Sequence, residues 1–73
     1  MGRKKHLGSV ISERRRSLGL SQEGLADLCG LHRTYISQVE RGLKSPTLRV
    51  LSTLAENLNA RPSELLRELE EPG

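Results

Sequence analysis

Apolar residues recur along this chain three and four positions apart, without the strict alternation of a half-buried strand, and they divide it into five short helices. Leu7, Val10, Ile11 and Leu18 mark a first helix over residues 7–18, stopped by Gly19. Ser21 caps a second, with Glu23 in its first turn and Leu25, Leu28 and Cys29 at helical spacing beside Ala26. Gly24 breaks the Ser-x-x-Glu capping box and costs about 0.5–1 kcal/mol against alanine. Gly30 closes this helix after barely two turns. A third helix runs from about Arg33 to Arg41, with Ile36 and Val39 inward and Gly42 after it.

Leu43-Lys44-Ser45-Pro46 is a loop, because proline is excluded from a helix interior. Thr47 caps a fourth helix with an apolar stripe of Leu48, Leu51, Leu54, Ala55 and Leu58. Pro62 opens a fifth, with Glu64 in its first turn and Leu65, Leu66 and Leu69 following. The fold class is therefore all-α. The expected organisation is a basic arm at residues 1–6, one domain at 7–69 and a frayed tail at 70–73.

Composition sharpens this picture. Seventy-three residues make one domain, and a chain of that size buries only about 60% of the surface its unfolded form exposes. With no Trp or Phe and one Tyr, the core must be aliphatic. No apolar run is long enough to span a membrane, and the basic start lacks the apolar region of a secretory signal. A single cysteine, Cys29, excludes an internal disulfide and reads as a buried thiol in a reducing compartment.

Charge adds a direction. Residues 1–50 hold ten Lys/Arg and four Asp/Glu, a balance of +6, whereas residues 51–73 hold two Arg and five Glu, a balance of −3. A basic body suits a polyanion, though scattered surface lysines and arginines are common in small domains. The arm Arg3-Lys4-Lys5-His6 reaches a DNA backbone or minor groove, or is simply solvated. Arg14, Arg15 and Arg16 point about 100° apart and cannot share one role. His6 and His32 lack an orienting carboxylate, and there is no metal-spaced Cys/His cluster, glycine-rich phosphate loop or nucleophile–base pair. An enzyme, a cofactor or a metal is not expected.

Residues 22–41 carry the functional argument. Two helices meeting steeply across a tight turn need a small residue at their crossing, a residue tolerant of positive φ in the turn, and apolar residues toward the core. Ala26, Gly30 and the set Leu25, Cys29, Leu31, Ile36 and Val39 meet these needs. The outward positions of the third helix then read Arg33, Thr34, Tyr35, Ser37, Gln38 and Arg41. Arginine bonds guanine O6 and N7 together, glutamine reads adenine, and threonine offers a hydroxyl and a methyl for thymine. An ordinary polar surface helix is the competing reading.

At these residues, SQEGLADLCGLHRTYISQVERGLKSPTLRVLSTLAENL resembles the phage-repressor (Cro-like) helix-turn-helix family, from about Leu7 to Leu66. The resemblance rests on Ser21-Gln22-Glu23, Ala26, Gly30, Ile36-Ser37, Glu40 with Gly42, and Pro46 before a Leu/Ala-rich helix. It implies a compact five-helix, lambda-repressor-like DNA-binding domain with its helix-turn-helix at residues 22–41. RTYISQVERG on a short stand-alone domain is further similar to the controller proteins of restriction–modification operons.

The resemblance puts Arg33, Thr34 and Gln38 against base edges, with Ser37 and Tyr35 next to them. Tyr35 alternatively belongs to the core. Gln22, Arg41, Lys44 and Ser45 correspond to backbone-phosphate contacts. Arg15 and Glu40 match an internal ion pair between the first and third helices; the alternative for Glu40 is a cytosine contact. Arg14 and Arg16 are left for solvent or phosphate. Two positions depart from the family pattern: His32 is a poor cap for the third helix, and Arg61 replaces the usual small cap before Pro62.

One helix-turn-helix reads only a few base pairs, so a homodimer on a palindromic operator is expected, with half-sites about 34–36 Å apart. Leu58, Leu65, Leu66 and Leu69 exceed the obvious needs of a tiny core and are the candidate dimer interface. The function expected is sequence-specific transcription control, by excluding or recruiting polymerase, in a cytoplasm of bacterial or phage type, and the resemblance to controller proteins implies autoregulation of a restriction–modification operon. The alternative is a protein-interaction module such as an antitoxin.

Overall fold

The computed structural model describes residues 6–69, and among them five helices form where the apolar stripes fall: α1 (Leu7–Ser17), α2 (Gln22–Cys29), α3 (Arg33–Glu40), α4 (Leu48–Asn57) and α5 (Pro62–Leu69). Apart from His6, the basic arm and the tail at residues 70–73 lie outside the described residues.

The helix ends follow local chemistry. Ser21 Oγ accepts the Gly24 N–H at 2.8 Å, so the serine half of the capping box forms although residue 24 is glycine. Thr47 Oγ1 accepts the Val50 N–H at 3.2 Å to open α4. At α5 the cap comes from the other direction: Glu64 Oε1 accepts the Arg61 N–H at 2.9 Å, which explains how an arginine is accommodated there. His32 and His6 precede α3 and α1 without a side-chain cap.

Two aliphatic clusters make the interior. Ile11, Leu25, Ala26, Ile36, Val39, Leu54 and Leu58 form the larger, between α1, α2, α3 and α4. Val10, Leu51, Ala55 and Leu65 form the smaller, between α1, α4 and α5. Leu7 packs on both, and the adjacent residues Val10 and Ile11 send α1 into one cluster each. Helix α1 is therefore the element that joins α3 to α5.

Five sequence expectations are corrected here. Leu58 and Leu65 are 2% and 0% exposed, so both are core residues and neither is available to a dimer interface. A core without Phe or Trp fills its volume with every inward leucine. On α5, Leu66 remains 41% exposed and Leu69 is half-buried. Leu48, at the first position of α4, is 74% exposed and falls outside the stripe; Leu28 is likewise on the outer face of α2. Arg14 is not left for solvent: its guanidinium donates to Glu68 of α5 from Nε at 3.1 Å and Nη2 at 2.8 Å. Tyr35, read as an exposed position, is half-buried with its ring against the larger cluster.

Candidate nucleic-acid interface

Helices α2 and α3 are joined by Gly30, Leu31 and His32. Gly30 takes φ 68° and ψ 31°, a left-handed conformation that costs an L-residue roughly 1–2 kcal/mol. From there Leu31 N–H turns back to the Ala26 carbonyl at 2.9 Å, closing α2 and aiming the chain into α3. Ala26 is buried at this corner, and Leu25, Ile36 and Val39 fix the two helices to the core.

A buried carboxylate ties this pair of helices to α1. Arg15 Nε donates to Glu40 Oε2 at 2.7 Å and Arg15 Nη2 to Glu40 Oε1 at 3.1 Å, a two-pronged pair whose side chains are only 10% and 6% exposed. The third guanidinium nitrogen, Nη1, donates to the Leu20 carbonyl at 2.8 Å. Gln22 Nε2 adds a bond to Glu40 Oε1 at 3.0 Å. Burial alone would raise the Glu40 pKa, but the bonds from Arg15 and Gln22, the Arg15 charge and the Ser12 hydroxyl outweigh it and hold the carboxyl below its ordinary value. Glu40 is thus an ionised hub between α1, α2 and α3, which leaves it no freedom to read a base.

Gly8 makes this crossing feasible. A β-carbon at residue 8 would overlap the Val39 carbonyl oxygen and lie 2.5 Å from that of Glu40. Only glycine lets the start of α1 lie against the end of α3 at this distance. This glycine and the Gln22–Glu40 bond were not anticipated from sequence. A small residue on an otherwise apolar helix face is the one signal that points to Gly8.

On α3 the helical repeat separates two arcs. At about 100° per residue, Arg33, Ser37, Arg41, Thr34 and Gln38 fan across roughly 140°, while Tyr35, Val39 and Ile36 occupy the opposite side. Arg33, Thr34 and Arg41 are exposed; Ser37 and Gln38 are half-buried. The face joins a flexible charged end to shorter groups with hydroxyl and amide donors. Tyr35 belongs to the other arc, which is the reason its ring packs inward.

The candidate anchors surround this face. Gln22 lies half-buried at the first residue of α2, and Lys44 and Ser45 are exposed in the loop after α3. Gly42, with φ 78°, turns the chain there, and the Leu43 N–H closes α3 on the Gln38 carbonyl at 2.8 Å. Lys44 and Ser45 border a cleft of about 160 Å³ that His6 and Gly8 line from the α1 side. No group of His, Cys, Asp or Glu suited to a metal ion is present among the described residues. Cys29 is half-buried beside Thr53, and burial, partly offset by a bond with Asn57, pushes its thiol pKa up, as in an unreactive packing cysteine. Among the described residues no helix is long and apolar enough to cross a membrane.

A two-turn helix presenting polar side chains outward, locked by a three-residue turn to a capped partner, defines a helix-turn-helix DNA-binding domain. The chain belongs to the helix-turn-helix family, whose pattern matches residues 11–65. Its relatives include the control protein C.SmaI of Serratia marcescens, 44% identical over 63 residues that cover 86% of this chain and 75% of that protein. Among solved structures, the restriction–modification controller protein C.AhdI of Aeromonas hydrophila is 44% identical, with a TM-score of 0.78 over 81% of this chain and 89% of that one. The DNA-binding domain of the P22 c2 repressor is 29% identical and superposes with a TM-score of 0.87 over 99% and 96% of the two chains.

Proposed function

We propose that this protein is a transcriptional regulator that binds a palindromic operator as a homodimer, laying α3 in the major groove, and that it controls its own restriction–modification operon. The observation that carries the reading is the outward arc of α3, held rigid from behind by the buried Arg15–Glu40 pair. A reading surface needs polar side chains directed outward from a well-anchored backbone; α3 presents such side chains, and its last residue is tied to α1 and α2 by the Glu40 hydrogen bonds. Arg33, Thr34, Ser37 and Gln38 face base edges; Gln22, Arg41, Lys44 and Ser45 take the flanking phosphates. Tyr35 stands at the margin, with its ring committed to the core.

The similarity to proteins named as controllers supports the operon assignment. The second copy docks on the outer face of α5 through Leu66 and Leu69, the two leucines of the original four that keep accessible surface. Selection from random DNA duplexes tests the whole reading. The expected product is a two-fold symmetric site with half-sites about one helical turn apart, bound with an affinity that falls steeply with salt. Recovery of no site, or of an asymmetric one, would refute it.

A further inference from the structure

We propose that Glu40 is a positioning residue for the DNA contact of Gln22: its carboxylate fixes which way the Gln22 amide faces and so aims the remaining N–H at a backbone phosphate. This rests on the backbone-contact reading of Gln22 given above.

The chemistry of the two groups dictates the orientation. A carboxylate without a proton only accepts hydrogen bonds, and an amide offers donors from nitrogen alone. With Nε2 of Gln22 3.0 Å from Glu40 Oε1, the amide nitrogen must face Glu40 and the amide carbonyl must face away from it. One N–H is consumed; the second is left on the same nitrogen. Gln22 is the first residue of α2, beside a helix end whose unpaired backbone amides and dipole favour an anion.

Glu40 cannot itself serve the phosphate, since it is anionic and its side chain is 6% exposed. It acts through Gln22. Arg15 holds the carboxylate with two bonds, one on the oxygen that Gln22 uses and one on the other, so the acceptor that orients Gln22 is itself anchored. The chain of contact runs from α1 through the last residue of α3 to the first of α2. An amide in place of the carboxylate would offer either its oxygen or its nitrogen. With that nitrogen toward Gln22, the Gln22 amide turns over to accept from it and presents its carbonyl where the N–H had been, which repels a phosphate.

The test uses the full chain, the operator recovered by selection, and duplexes in which single phosphates are replaced by neutral methylphosphonates. The native protein is expected to lose about ten-fold in affinity at one Gln22-dependent phosphate per half-site. Gln22→Ala should be indifferent to that replacement. Glu40→Gln should lose most of its sensitivity there while remaining sensitive at the phosphate served by Lys44. Full sensitivity of Glu40→Gln at the Gln22 phosphate overturns the positioning role and leaves the Gln22 contact standing. If Gln22→Ala is as sensitive as the native protein at every phosphate, the backbone reading of Gln22 falls and the proposal with it.

A measurement on the native chain covers the case in which Glu40→Gln does not fold. The two side-chain amide protons of Gln22 should give separate magnetic resonance signals. One should move as Glu40 is protonated in acid, and the other on adding operator. An amide indifferent to Glu40 protonation overturns the proposal.

Discussion

Arg14 and Arg15 are neighbours in the chain, yet each binds a different helix: Arg15 meets Glu40 of α3 and Arg14 meets Glu68 of α5. The 100° step of α1 sends one guanidinium to each side. The two pairs differ in burial, with side chains 10% and 6% exposed in one and 30% and 27% in the other. Removing one partner from a buried pair strands a charge, at a cost of about 3–5 kcal/mol, whereas an accessible pair contributes about 0–1 kcal/mol. Arg15→Ala should therefore unfold at far lower urea than the native chain, and Arg14→Ala at nearly the same concentration. Equal losses would show that the network behind α3 does not hold the domain.

Gly8→Ala adds one methyl against the backbone of α3. Since a carbonyl cannot rotate away as a side chain can, the helices must separate, and overpacking of this kind costs about 1–3 kcal/mol. Gly19→Ala is the control: its φ of 73° is strained for alanine, but nothing lies within 4 Å. Both should lower the melting temperature. Gly8→Ala alone should also weaken operator binding at a temperature where the protein remains folded.

Acid should act through Glu40. Its pKa is lower in the folded chain than in the unfolded one, so the unfolded state takes up the proton first. The stability it contributes is complete above the unfolded value of about 4.3 and drains away as pH falls through the lower folded value. Unfolding followed against pH should show this loss below about pH 4.3, and Glu40→Gln should show a shallower dependence.

The proposed base readers and phosphate anchors should be separable by mutation. Arg33→Ala should cost about 1–3 kcal/mol and relax preference at one base position. Lys44→Ala should weaken all sequences alike and reduce the salt dependence by about one charge. Binding to a panel of single-base operator variants at several salt concentrations distinguishes the two. If both substitutions weaken every variant equally, the division into readers and anchors is wrong.

The leucines near the C-terminal end divide the same way. Leu65→Ala and Leu58→Ala empty core positions and should cost about 2–5 kcal/mol each. Leu66→Asp changes an exposed position and should leave the melting temperature of the monomer nearly unchanged while raising the dimer dissociation constant. Sedimentation over a range of concentrations reads this directly; an unchanged dissociation constant would move the interface elsewhere.

The five helices and the turn at Gly30 were legible because each depends on local signals: a cap, a glycine, a repeat of 3.6. The outward set Arg33, Thr34, Ser37 and Gln38 followed from that repeat once Ile36 and Val39 were placed inward. What failed was the depth of particular leucines: Leu25, Leu51 and Leu54 are sealed as their spacing implies, but Leu58 and Leu65 lie deeper than expected and Leu28 and Leu48 farther out. Leu65 and Leu66 are adjacent on one short helix, and only the positions of α1 and α4 decide that the first is sealed and the second open. The partners of Arg14 and Gln22 lie 54 and 18 residues away, beyond any periodicity. Gly8 has no φ that marks it out; its meaning is the carbonyl that lies against it.

Tyr35 is the sole Phe, Trp or Tyr of the chain, and it stands on the helix proposed to carry the reading face while its half-buried ring packs against the larger core cluster. The protein thereby contains a single native ultraviolet fluorophore at the boundary between its hydrophobic centre and its functional surface. With no tryptophan to outshine it, emission from that one ring reports loss of packing when the chain unfolds and any shift of α3 when a duplex arrives. One unlabelled signal therefore follows both equilibria.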